Sequence, residues 1–112
     1  MQQPTHCRTF EGHKVVGKMI FAELAGHENY ADTHADLVKT LKGCFSSVEA
    51  GLQGDSWIWI MDGADKVAID TFTSMTHQVK SCTAGPHVQQ VIDALRVKYN
   101  VRVFDEPLEA WD

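Results

Sequence analysis

The stretch Ser56-Trp57-Ile58-Trp59-Ile60-Met61, then Asp62-Gly63-Ala64-Asp65, then Lys66-Val67-Ala68-Ile69-Asp70-Thr71-Phe72 decides the fold. Both flanks are rich in β-branched and aromatic residues and alternate with period two. The acidic, glycine-containing tetrapeptide between them is a hairpin signal. Ile58, Ile60, Val67 and Ile69 therefore share one face. Trp57, Trp59, Met61, Ala68, Asp70 and Phe72 share the other. The β-branched set suits a face covered by helices, and the aromatic and acidic set suits an open one.

Working outward, Phe45 to Leu52 reads as a strand before this hairpin and His77 to Cys82 as one after it. Lys18 to Leu24 is an opening strand. It is followed by a helix capped at Asn29, with Tyr30, His34, Leu37, Val38 and Leu41 at helical spacing and Gly43 as its stop. Gly85-Pro86 starts a second helix carrying Val88, Val91, Ile92, Leu95 and Tyr99 on one face. Asn100 ends it, and Val101 to Asp105 is a last strand. The order is β-α-β-β-β-β-α-β. The expected architecture is an α+β two-layer sandwich, a mainly antiparallel sheet with both helices on one face.

The same alternation puts Ile20, Ala22, Leu24, Val48 and Ala50 inward, and Met19, Phe21, Glu23, Ser47 and Glu49 outward. The open face then gathers Phe21, Trp57, Trp59 and Phe72 beside Glu23, Glu49 and Asp70. Such a face should not be left to water. One use is a homodimer that stacks two copies of it. The other is a pocket for a small cationic ligand, with Glu23, Glu49 and Asp70 as ion partners and Trp57, Trp59 and Phe72 as the stacking surface. On that reading, Asp70→Asn weakens binding without unfolding the chain.

Composition sets bounds on these readings. The chain has 112 residues, 44% hydrophobic and 22% charged, as in one ordinary globular domain. Residues 1–15 read as an N-terminal arm and 106–112 as an acidic C-terminal tail. No apolar run reaches the ~18 residues of a membrane span. The start, Met1-Gln2-Gln3-Pro4-Thr5-His6, has neither the cationic nor the apolar region of a signal peptide, so none is expected. Three widely spaced cysteines, Cys7, Cys44 and Cys82, read as reduced thiols of a cytoplasmic protein. The net charge of −5 argues against a nucleic-acid partner.

Several other patterns fall short of a site. His77, Cys82 and His87 match no usual zinc spacing, and the acids between His27 and Asp36 suit the first turn of a helix, so no metal is expected. Gly12 to Met19 approaches a phosphate loop, but Met19 replaces the needed hydroxyl and the segment leads into a strand. No Ser/His/Asp pattern stands out, so no catalytic residue is assigned. His34, on the apolar helix face, reads as a boundary core histidine.

The strand order and several segments resemble the bacterial S-adenosylmethionine decarboxylases from Gly17 to about Glu106. Gly17-Lys18-Met19-Ile20-Phe21-Ala22-Glu23-Leu24 resembles that family's opening strand. Lys66-Val67-Ala68-Ile69-Asp70-Thr71-Phe72 resembles its serine-led strand, and Thr83-Ala84-Gly85 its T-C-G. The family cuts itself before a serine that becomes a pyruvoyl group. Here Ala64 and Asp65 stand at that bond, Asp70 at the processing histidine and Ala84 at the catalytic cysteine. The resemblance thus implies the fold and an S-adenosylmethionine-like ligand on the sheet, with no pyruvoyl or other cofactor.

Three functions follow as expectations. The first is a non-processing relative that binds a small cationic or nucleoside ligand on the open sheet face. The second is an acidic interaction module of the inhibitor or immunity type, working through the same face or the tail Asp105 to Asp112. The third is a decarboxylase whose self-processing has moved to Ser56 or Ser74.

Overall fold

A computed structural model describes residues 19–25, 30–63, 65–72 and 76–109. The elements are β1 (Met19–Leu24), α1 (Tyr30–Cys44), β2 (Val48–Gln53), β3 (Asp55–Asp62), β4 (Asp65–Asp70), β5 (Gln78–Ser81), α2 (Pro86–Arg96) and β6 (Val101–Glu109). The expected order and α+β class are what the structure has. The six strands form one antiparallel sheet in the order β2-β3-β4-β5-β1-β6. The described chain starts inside the sheet at β1, and α1 carries it across to the β2 edge. A meander through β3, β4 and β5 returns to β1, and α2 crosses to place β6 on its other side.

α1 lies over β2 and β3, α2 lies over β4, β5 and β6, and the two helices touch. Between helices and sheet are Ala22, Leu24, Leu37, Leu41, Ile58, Ile60, Val67, Ile69, Val79, Val88, Val91, Ile92 and Leu95, all buried. The β3 alternation appears directly, with Ser56, Ile58 and Ile60 buried and Trp57, Trp59 and Met61 half-buried. Gly63 turns the hairpin at φ 63°, a conformation that costs a residue with a Cβ. Pro86 opens α2 behind Gly85, as expected.

The boundaries depart from the sequence reading in several places. α1 continues through Gly43 to Cys44, because Leu41 is buried against the sheet and Gly43 has open space around it. β2 begins at Val48 and β4 ends at Asp70. α2 stops at Arg96, short of Tyr99, yet Tyr99 still packs on the core. Residues 106–109, read as tail, belong to β6. The N-terminal arm, Asn29 and residues 110–112 lie outside the described residues. Cys44 is free and exposed, but Cys82 is disulfide-bonded, against the expectation of reduced thiols. Spacing along a sequence carries no information on how closely two Cα atoms approach.

A β-bulge in β1 between Ile20 and Ala22 changes the faces of that strand. Ile20 pairs with Lys80, on the side away from the helices, and takes no part in the core cluster. Phe21, expected on the open face, packs against that cluster. The extra residue shifts the alternation by one, so Ala22 and Leu24 stay inward while Ile20 does not.

Ile58 is fully buried in the core cluster, and Val97 is 88% exposed. Ile58→Ala is expected to lower stability by about 2–5 kcal/mol through lost burial and a cavity. Val97→Ala should stay within about 0.5 kcal/mol of the parent. Urea unfolding of both variants measures the contrast.

Candidate functional site

On the sheet face away from the helices, the registers line up two rows. One runs Glu49, Trp59, Ala68, Lys80, Ile20, Leu108. The next runs Gly51, Trp57, Asp70, Gln78, Glu23, Arg102. Of the six residues expected to form a ligand site, Glu49, Trp57, Trp59, Asp70 and Glu23 stand in these neighbouring rows. Phe72 stands just past the end of β4 and is 50% exposed.

The face is less open than alternation implied. Ile20, Ala68, Asp70, Gln78 and Lys80 are all buried. The part that reaches solvent is the margin formed by β2 and β3. There Trp57 and Trp59 are half-buried, with ring centroids 4.6 Å apart and planes tilted by 41°. Gly51 is what lets Trp57 lie down, since a Cβ at Gly51 would stand 2.4 Å from the Trp57 ring. Lys66 Nζ sits 4.1 Å from the centroid of the Trp59 ring. Glu49 is exposed and pairs across from Trp59, with no ion pair among the described residues.

Asp70 already has its cation. Lys80 Nζ donates to Asp70 Oδ1 at 2.7 Å, with the two side chains 0% and 1% exposed, and the Phe72 N–H donates to the same oxygen. Asp70→Asn would therefore strand a buried ammonium and disturb folding, where the sequence reading expected an effect on binding alone. Glu23 stands 4.0 Å from Arg102, an exposed contact that contributes little.

A second polar group lies on the helix-covered side, at the start of β3. His34 Nδ1 of α1 is 2.7 Å from Ser56 Oγ, and His77 Nε2, just before β5, is 2.8 Å from the same oxygen. Ser56 and His77 are buried and His34 is half-exposed. The Ser56 N–H donates to Thr71 Oγ1, and the Thr71 hydroxyl points at Asp55 Oδ1 from 3.4 Å. Sequence reasoning missed this constellation as a unit. Helical spacing places His34 on the apolar face, and Ser56 stands only as a candidate processing site, so nothing in the sequence shows that they meet. Burial pulls the His34 pKa below the ordinary histidine value of 6.5.

A third polar contact ties α1 to the turn after α2. The Tyr99 hydroxyl donates to Asp36 Oδ2, and Lys98 Nζ donates to Asp36 Oδ1 at 2.9 Å. Burial, then the Asp36 hydrogen bond, push the Tyr99 phenol up to about 12. The same hydrogen bond, then that of Lys98, hold Asp36 below the usual carboxylate range.

Among the described residues, no group of three or more His, Cys, Asp or Glu side chains is placed to hold a metal ion. No described helix is long and apolar enough to cross a membrane. No family model matches the chain, and neither a curated protein nor a solved structure matches it.

Two expected outcomes follow. Because the His34 pKa is lowered on folding, the unfolded chain binds the proton more readily. His34's contribution to stability is complete above pH 6.5 and is lost as the pH falls through the lower, folded value. His34→Gln should flatten the fall in Tm between pH 7.5 and pH 5, as read by calorimetry. Separately, Lys80→Met leaves the Asp70 carboxylate buried without its counter-charge and should cost about 3–5 kcal/mol. Adding Asp70→Leu should restore much of it, which chemical unfolding of the single and double variants would show.

Proposed function

We propose that the protein binds a small cationic or nucleoside ligand of the S-adenosylmethionine type at the β2–β3 margin of the sheet, as a relative without self-processing chemistry. One observation carries this reading. The Trp59 face already holds a cation, the Lys66 ammonium at 4.1 Å. A ring that attracts a protein cation attracts a ligand cation by the same quadrupole. Glu49 across from Trp59 supplies a negative charge, and Trp57, lying on Gly51, widens the aromatic surface. Asp70 and Lys80 neutralise each other beside this surface, so the ligand's charge is directed to Glu49.

Support from sequence is the order β-α-β-β-β-β-α-β together with the segments that resemble S-adenosylmethionine decarboxylases. The hairpin residues Asp62, Gly63, Ala64 and Asp65 include no serine, so no pyruvoyl group forms there. The other occupant of this face is a protein, either a second copy or a basic partner. Leu108 in the Trp59 row is 48% exposed and would be covered by one.

Thermal unfolding with and without S-adenosylmethionine, at two protein concentrations, separates these readings. Ligand at 100 times its Kd stabilises a fold by about 2.7 kcal/mol, a Tm rise of several degrees at this size. Glu49→Gln should abolish most of the rise. Lys66→Ala, which uncovers the ring, should tighten binding as read by tryptophan fluorescence. No rise at millimolar ligand in either the parent or Lys66→Ala overturns the ligand reading. A Tm that climbs with protein concentration alone points to the homodimer.

A further inference from the structure

The Ser56 hydroxyl has one proton to give and two lone pairs to receive with. Two imidazole nitrogens stand at 2.7 and 2.8 Å from its oxygen. With neutral histidines, one ring must accept the Ser56 proton while the other donates an N–H to Ser56 Oγ. A serine whose proton is already shared with an imidazole, while a second imidazole supports the oxygen, is the arrangement of an activated nucleophile. Three separate elements deliver it: α1, the start of β3 and the residue before β5. The hydroxyl is buried, which strengthens its hydrogen bonds, and of the three residues His34 alone is half-exposed.

We propose that Ser56, His34 and His77 form an acyl-transfer centre in which Ser56 Oγ attacks an ester carbonyl. Of the two rings, His34 is the one that takes the proton, since it is the member of the trio that reaches solvent and its pKa lies below the ordinary histidine value. His77 then donates to Oγ and positions it. In the first step the Oγ–C bond forms and the bond from that carbon to the leaving oxygen breaks. The proton taken by His34 passes to the departing alkoxide, giving the alcohol and an acyl-serine. Water attacks the acyl-serine by the same route, releases the carboxylic acid and returns the proton to Ser56. The centre lies on the covered side of the sheet, so it is independent of the ligand margin at Trp57 and Trp59.

The test treats the full chain with a fluorophosphonate, which forms an Oγ–P bond as fluoride leaves, and locates the adduct by peptide mass spectrometry. The expected result is a single adduct on Ser56, with hydrolysis of p-nitrophenyl acetate blocked in parallel. His34→Gln should slow labelling by about 100-fold, the size of a general-base contribution. Ser46→Ala, at an exposed serine, should label like the parent. Ser56→Ala, if its circular dichroism is native, should neither label nor hydrolyse the ester. No adduct on the parent chain, an adduct on another residue, or hydrolysis that survives in folded Ser56→Ala overturns the proposal. The parent's adduct site decides the matter even if Ser56→Ala does not fold.

Discussion

One strand register governs the rest of the molecule. Ile58 and Ile60 on β3, Val67 and Ile69 on β4 and Val79 on β5 must all meet the helices at once. A slip of one residue in any of these strands would turn its apolar residues to the far face. The pairings Ile58 with Ile69, Ile60 with Val67 and Ile69 with Val79 are the registers that avoid this. Once they are set, Trp57 must pair with Asp70 and Trp59 with Ala68. The aromatic surface is thus a consequence of how the core is buried.

The sheet carries polar groups on both faces, and each meets the cost of burial differently. Away from the helices, Asp70 and Lys80 leave water as a pair. Such a pair contributes little net stability compared with apolar residues, but breaking it is costly. Under the helices, the Ser56 hydroxyl stands within hydrogen-bond distance of both histidine rings. Buried polar groups that are hydrogen-bonded cost far less than unpaired ones. The three side chains also join α1, β3 and the approach to β5 at a point where the apolar core gives way to loops. Across the helix layer, Asp36, Tyr99 and Lys98 add a partly exposed tie between α1 and the end of α2.

The sequence was legible wherever a period could be counted. Alternation in Ser56 to Met61 and Lys66 to Asp70 gave the two faces correctly, and the spacing of Val88, Val91, Ile92 and Leu95 gave the buried stripe of α2. It failed at Ile20 and Phe21, where one bulged residue shifts the count and nothing in Met19 to Leu24 announces the insertion. It also failed at the chain's turns away from regularity. Gly43 looks like a helix stop, yet burial of Leu41 two residues earlier outweighs a single glycine's propensity. For the site, Glu49, Trp57, Trp59, Asp70 and Glu23 could be placed on one face from sequence, but their neighbours could not.

By itself the sequence determined the order of elements, the two faces of each regular strand and the outward placing of Trp57 and Trp59. These depend on local periods of two or 3.6 residues, which are written along the chain. Only the tertiary structure decided that Lys80 neutralises Asp70, that Lys66 covers Trp59, that Trp57 lies on Gly51 and that His34 and His77 meet at Ser56. Each of these depends on which residue of one element stands beside which residue of another. That choice is made by packing the whole core at once, and no single segment contains it.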